Sequence, residues 1–332
     1  MRKSLLTAVA IFATTPALAD VNIYTTRQPE LIAPVMAAFT AQTGIAVNLA
    51  FVESGLVERL KAEGRRSPAD LVMTVDIANL HQIVAADVLQ PVDSAILTAA
   101  VPADLRSADG LWFALTSRAR VVYAHADRVA PGEVTTYEDL ASEKWRGRIC
   151  TRSGVHNYNL ALLSAYIAHH GEEAARDWAA GLRANLARRP EGNERAQARA
   201  VWAGECDIAI GNTYYIGQMT ADPEQQDWAA ALRVEFPTFE TGGTHINVSG
   251  VAMTRAAPNR AEALRLMEFL VSPEAQAIYA ESNFEYPVLA GAALAPIVAG
   301  WGDFTPDSID LTEVAGHRAA ALRIMEEVNY DG

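Results

Sequence analysis

From residue 20 onward the chain alternates between short, solidly apolar runs and stretches in which apolar side chains return every three or four positions. Residues 21–24 read as a strand. Pro29 then opens a helix in which Leu31, Ile32, Val35, Met36 and Phe39 share a face, and Gly44 closes it. The alternation continues with a strand at 45–52, a helix at 56–63, a strand at 70–74 and a helix at 78–86. This order predicts a parallel sheet with helices on its faces. Residues 111–115 and 120–124 read as two apolar strands separated by Thr116-Ser117-Arg118, and the break Ala130-Pro131-Gly132 after the second marks that strand as a candidate crossing between domains.

Further along, a strand at 149–152 leads to a helix at 158–170 closed by Gly171. A helix at 194–203, closed by Gly204, precedes the buried run 206–210 and then a strand at 233–236. Residues 247–253 read as a return crossing, and alanine-rich helices follow at 260–270 and 273–282. The expected fold is α/β, with two lobes and the second inserted into the first. Lobe 1 takes residues 20–120 and 249–332, and lobe 2 takes 121–248. Length agrees, because 332 residues exceed the ~250–300 at which single cores stop growing.

The first residues belong to a different pattern. Arg2 and Lys3 precede an apolar stretch at 5–12 and the small-residue site Ala17-Leu18-Ala19, the signature of an export signal cleaved after Ala19. That stretch is too short to cross a bilayer, and no later run approaches the ~20 apolar residues required. The formal charge of −13 becomes more negative once Arg2 and Lys3 are removed. A chain this acidic favours solubility and is a poor partner for nucleic acid. Its two cysteines, Cys150 and Cys206, are expected to bridge in an exported protein. The closed loop of about 57 residues would contribute about 4 kcal/mol in the chain-entropy model. Two buried free thiols are the alternative; a zinc site lacks flanking histidines.

Candidate chemistry gathers at Gly211-Asn-Thr-Tyr-Tyr-Ile-Gly217. With Asn212 or Thr213 as N-cap, Tyr214 and Tyr215 fall on the first helical turn after a buried strand, where α/β sheets bind ligands. A phenol titrates near pH ~10, and a trivalent cation would displace its proton to give a hard anionic donor. Taken alone, a Tyr-Tyr pair is ordinary amphipathic packing. The spacing adds to it: Tyr158 stands as far beyond Cys150 as Tyr214 stands beyond Cys206. Bridged cysteines would hold two parallel strands at matched depth, so equal offsets would bring both tyrosines to one sheet edge. Each begins a helix, whose N-terminus favours an anionic side chain.

Several stretches together resemble the periplasmic ferric-ion-binding proteins, the substrate-binding components of iron(III) ABC importers. They are Tyr24-Thr-Thr-Arg-Gln-Pro29, Ser67-Pro-Ala-Asp70, Thr116-Ser-Arg-Ala-Arg120, Cys150-Thr-Arg-Ser-Gly154, Asn157-Tyr-Asn159, Gly211-Asn-Thr-Tyr-Tyr215 and Glu285-Tyr-Pro-Val288. The resemblance implies a type II periplasmic binding protein fold, two lobes joined by two β-strand crossings with the site in the cleft. It implies that Tyr158, Tyr214 and Tyr215 ligate Fe3+, and that a monomer hands the ion to an inner-membrane ABC permease and its ATPase. Where many relatives carry a His after the first-strand Arg, this chain has Gln28 and Pro29. It resembles the subgroup in which a synergistic anion such as carbonate fills the remaining positions. Arg118 is the first candidate to hold that anion, with Arg27 and Gln28 approaching from the first loop, because an arginine fork suits carboxylate-like groups.

Other residues read as background. His169-His170 is expected as a solvated helix end, Arg188-Arg189 as surface, and His156 as a neighbour of Tyr158. A receptor for a small anion is the alternative in the same fold, although an anion calls for donors rather than phenolates. An exported hydrolase is a further one, and neither a Gly-x-Ser-x-Gly elbow nor His-Glu-x-x-His is present.

Overall fold

A computed structural model describes residues 19–332; the expected export signal therefore lies outside the described residues, apart from Ala19. In chain order, β1 (Val21–Thr25), α1 (Ala33–Thr43), β2 (Val47–Phe51), α2 (Leu56–Glu63), β3 (Leu71–Thr74), α3 (Ile77–Ala85) and α4 (Ala95–Ala100) lead to β4 (Phe113–His125). Then come β5 (Ile149–Cys150), α5 (Asn157–Ala184), α6 (Glu194–Ala203), β6 (Ile208–Asn212), α7 (Thr213–Thr220), α8 (Gln226–Ala230) and β7 (Leu232–Glu235). The chain closes with β8 (Ile246–Met253), α9 (Arg260–Leu270), α10 (Pro273–Asn283), β9 (Tyr286–Pro287), α11 (Pro296–Ala299), α12 (Leu311–Gly316) and α13 (Arg318–Glu327).

The strands run in the order β2-β1-β3-β8-β4-β6-β5, with β7 and β9 also on β4. As the alternation predicted, β1 pairs in parallel with both β2 and β3. The two expected strands at 111–115 and 120–124 are in fact one. β4 runs without a break from Phe113 to His125, and Thr116-Ser117-Arg118 is strand, with only a register shift between Ala114 and Thr116. Polar side chains suggested a turn there, but Thr116 is held by β8 on one side and β9 on the other. The first half of β4, through Ala119, pairs with β8, and the half from Arg120 pairs with β6 and β7.

The crossing is visible in the packing. Residues of β1, β3, α1, α3, α9 and the start of β4 share one hydrophobic core. Beyond it, the alternation of β4 sorts its side chains onto two faces. Val122 and Ala124 join Ile208, Ile210 and Trp145 on one face, while Val121 and Tyr123 join Ala209, Val201 and Met219 on the other. The expected assignment of 249–332 to lobe 1 fails at its end. Ala320, Ala321, Ile324 and Met325 of α13 pack on α5 in the lobe 2 core. Helix α12 serves both lobes, placing Leu311 and Ala315 in the first core and Val314 in the second.

Helix α5 is longer than expected. Gly171, with φ 81° and ψ 168°, breaks the helical geometry where a stop was foreseen, and the chain resumes as helix to Ala184. That backbone angle lies in the region open to glycine. Cys150 and Cys206 are bridged, with Cα atoms 5.9 Å apart. The bridge is not between register partners, since Cys150 lies opposite Ala209 in the parallel β5–β6 pair.

Candidate metal centre

Strands β5 and β6 run parallel and side by side, so the helices that follow them start on the same edge. The α5 start places Tyr158 there, and the α7 start places Tyr214 and Tyr215. The hydroxyls of Tyr158 and Tyr214 lie 3.1 Å apart. The rings of Tyr214 and Tyr215 lie 4.4 Å apart, centroid to centroid, tilted by 33°. Neighbouring strands thus unite the tyrosines; matched distances from the two cysteines do not. Asn212 caps α7 by conformation, without a side-chain bond to the helix.

What fixes the two helix starts is Arg120, the first β4 residue beyond the crossing. Its guanidinium donates to Asn159 Oδ1 at 2.6 Å and to Asn212 Oδ1 at 3.0 Å, reaching the first turn of α5 and the cap of α7 at once. It also donates to Glu194 Oε1 at 3.0 Å, and Arg152 donates to the other oxygen of Glu194 at 2.5 Å. Glu194 is fully buried, so both cations compensate its charge. The Arg120 and Arg152 guanidiniums stand 5.7 and 5.3 Å from the Tyr158 ring centroid. Positive charge therefore sits beside the Tyr158 ring.

Burial pushes the Tyr214 phenol well above its usual range, and the neighbouring tyrosines and Glu194 push it further while Arg118 opposes them. Tyr215 is raised by burial and by Glu194. Without a cation these phenols hold their protons. His156 caps α5, its Nδ1 accepting from the Tyr158 N–H at 3.2 Å, and burial with nearby arginines holds its pKa at about 3. It is a neutral acceptor there.

On the lobe 1 side the expected anion donors differ among themselves. Arg118 is buried; it donates to the Val75 carbonyl and, at 3.4 Å, to Ser249 Oγ, and it lines a small cavity with Arg120, Tyr158, Asn212 and His245. In that cavity the Asn212 amide nitrogen is buried without a partner. Arg27 is engaged elsewhere. Its two terminal nitrogens bond Glu285 at 3.0 and 2.9 Å, one of them also bonding Ser249 at 2.9 Å, which leaves only Nε unpartnered. Gln28 is exposed.

Among the described residues no group of three His, Cys, Asp or Glu side chains is placed to hold a metal.

The model of one family matches residues 66–301, and its description is bacterial extracellular solute-binding protein. The chain belongs to that family. Iron uptake protein A1 of Synechocystis sp. is 44% identical over 314 residues, spanning 94% of this chain and 87% of that protein. The major ferric iron-binding protein of Neisseria meningitidis is 31% identical over 85% of each chain. Apo ferric ion-binding protein A of Pasteurella haemolytica superposes with a TM-score of 0.90 at 45% identity, over 94% of this chain and 98% of that one. A Trichodesmium protein in complex with iron and citrate gives 0.89 at 41%, over 94% and 99%. The resemblance to ferric-ion-binding proteins is thereby borne out, as is the type II periplasmic binding protein fold. Members of this solute-binding family work with ABC transporters, and no helix among the described residues is long and apolar enough to span a membrane.

One background reading of the sequence is corrected. His169 is not solvated: Nε2 meets Asp307 at 2.8 Å, Nδ1 meets Thr241 at 3.0 Å, and the ring stacks on Phe239. His170 meets Glu138 at 2.6 Å. Arg189 is exposed, in keeping with its reading as surface, and donates to the carbonyls of Asp331 and Gly332. Sequence reasoning missed Arg120, Arg152 and Glu194 as site residues. Both arginines stood inside quoted stretches, but nothing in the pattern marks Glu194 on a helix 35 residues beyond Asn159 as their shared partner.

Proposed function

We propose that this protein captures ferric iron through Tyr158, Tyr214 and Tyr215 together with a synergistic anion, and delivers it without chemical turnover to an inner-membrane ABC importer. The observation that carries this reading is the convergence of Tyr158 and Tyr214 at 3.1 Å with Tyr215 alongside. Phenolate oxygen is a hard anionic donor suited to a hard trivalent cation. The names of the relatives, an iron uptake protein and a ferric iron-binding protein, support the same cargo.

In this reading Arg118 anchors the anion, supported by its burial and by the partnerless Asn212 amide beside it. Gln28 contributes from the open lip, and Arg27 contributes through Nε alone. Carbonate is the first identity for the anion; the citrate in the Trichodesmium complex supports a chelating carboxylate as the other. The mature protein starts after Ala19 and acts as a periplasmic monomer. Ferric citrate added to metal-free protein, with and without bicarbonate, tests both parts. A visible phenolate-to-iron band is expected, stronger with bicarbonate; a colourless mixture overturns the reading.

A further inference from the structure

Between Cys150 and Tyr158 the chain passes through a loop whose polar groups are satisfied from two distant segments. Arg152 reaches Glu194 on one side. On the other, the Thr151 hydroxyl lies 3.1 Å from that of Tyr330, both residues being buried. Ser153 Oγ donates to Asp331 Oδ2 at 2.5 Å, and the Gly154 N–H donates to Asp331 Oδ1 at 2.7 Å. One carboxylate thus takes two donors of the loop. The fit is close as well, because a Cβ on Gly154 would stand 2.5 Å from Cδ1 of Tyr330 and 3.0 Å from the Met325 sulfur.

The segment that reaches the loop is itself held. Helix α13 ends at Glu327, and Asn329 takes the left-handed conformation, φ 49°, turning the chain so that the Tyr330 N–H meets the Met325 carbonyl at 3.0 Å. Arg189 donates to the Asp331 and Gly332 carbonyls at 2.7 and 2.8 Å. From the loop the restraint passes to the residues that flank Tyr158. The His156 N–H bonds the Ser153 carbonyl at 3.2 Å, and the Asn159 amide bonds the Arg152 and Ser153 carbonyls at 3.0 and 3.1 Å.

We infer that Tyr330 and Asp331 form a clasp that positions Tyr158 for metal capture, with Asp331 as a positioning residue that touches no metal. The inference rests on Tyr158 being a ligand. A ligand loop held before the ion arrives loses no further freedom on binding, and that saving appears as affinity.

The test compares Asp331→Ala and Asp331→Asn with wild type, using amide hydrogen exchange on metal-free protein and ferric titration by visible absorbance. Asp331→Ala is expected to speed exchange across residues 151–158 while α7 keeps its wild-type rates. It is expected to lower iron affinity on the order of tenfold, the effect of removing a group that orients a ligand. Asp331→Asn, which keeps an acceptor oxygen, should recover most of both. Exchange needs no iron, so a colourless wild type would sink the ferric reading alone and leave the clasp to be decided by the exchange rates. Unchanged exchange at 151–158, local loosening with undiminished iron affinity, or loosening spread evenly through lobe 2 would each overturn the proposal. If Asp331→Ala does not fold, Tyr330→Phe, which removes one hydroxyl and keeps the ring, is judged by the same criteria at Thr151.

Discussion

In lobe 2 the cleft presents three phenols with no internal acceptor beyond one another, whereas in lobe 1 the polar groups of the cleft close on themselves. Arg27, Glu285, Thr116 and Ser249 form a buried set in which the carboxylate is bonded three times. The lobe 2 rim presents neutral phenols, while the lobe 1 wall carries a buried charge with its own counter-charge. Burial affects the two differently. It raises the cost of ionising Tyr214 and Tyr215, and it makes the Arg27–Glu285 pair costly to break. A binding surface and a structural surface can thus be told apart by which side is left incomplete.

The largest expected effect tests the incomplete side. Tyr214→Phe with Tyr215→Phe removes two donors and keeps ring volume, so the protein should fold while iron affinity drops by far more than the 10–100-fold associated with outer partners. Competition with citrate and loss of the visible band measure it; a wild-type band in the double variant removes the tyrosines from the site.

Acidification comes next. Tyr214 and Tyr215 have raised pKa values in the metal-free fold, so they are protonated at neutral pH, and each phenol that ligates must release its proton. Affinity should therefore fall as pH falls, by about tenfold per unit for each proton exchanged. Metal-free stability has the opposite sign: the contribution of these neutral phenols is present below pH ~10 and lost as pH rises above it. Arg118→Ala should move iron release to higher pH by removing the anion's anchor. Coincident release curves, with circular dichroism as the folding control, would exclude that anchor.

The self-contained side is tested by Arg27→Gln. It strands Glu285 in the interior and should cost about 3–5 kcal/mol in urea unfolding, with iron affinity changing less than about tenfold. Collapse of affinity with stability intact would make Arg27 a principal anion anchor and erase the contrast. The smallest effect is expected for exposed Gln28→Ala, within a factor of about two in affinity; a larger loss would make the lip a principal part of the site.

Much of this was legible in the sequence where the signal was local. The helix at Arg260–Leu270 appeared with its observed bounds, because apolar periodicity and the breaks around it are written in adjacent residues. The tyrosine rim was legible because Tyr214 and Tyr215 directly follow a buried strand. Thr116-Ser117-Arg118 misled because pairing with β8 and β9 overrides the loop-like composition of a polar tripeptide. Residues 318–327 were misplaced because an amphipathic helix reveals its apolar face and not which lobe covers it. The disulfide pairing was foreseen, but the argument from equal spacing was not sound, since register depends on neighbouring strands and Cys206 lies outside the paired residues. Arg120 was the hardest to see, because its three acceptors come from α5, α6 and the end of β6.

The unbroken course of β4 sets how the two halves of the molecule can move. A flexible linker would leave slack, letting the lobes turn with no disturbance to either interior. A continuous ribbon has none, so any relative rotation must be absorbed as torsion spread along its residues, and the point where its partners change is between Ala119 and Arg120. Arg120 is therefore mounted on the torsion bar itself, with its backbone N–H bonded to the His245 carbonyl and its carbonyl to the Tyr137 hydroxyl. A twist there would swing the guanidinium that bonds the first turn of α5 and the cap of α7, so β4 would carry a change of angle between the lobes into the helix starts that bear the tyrosines.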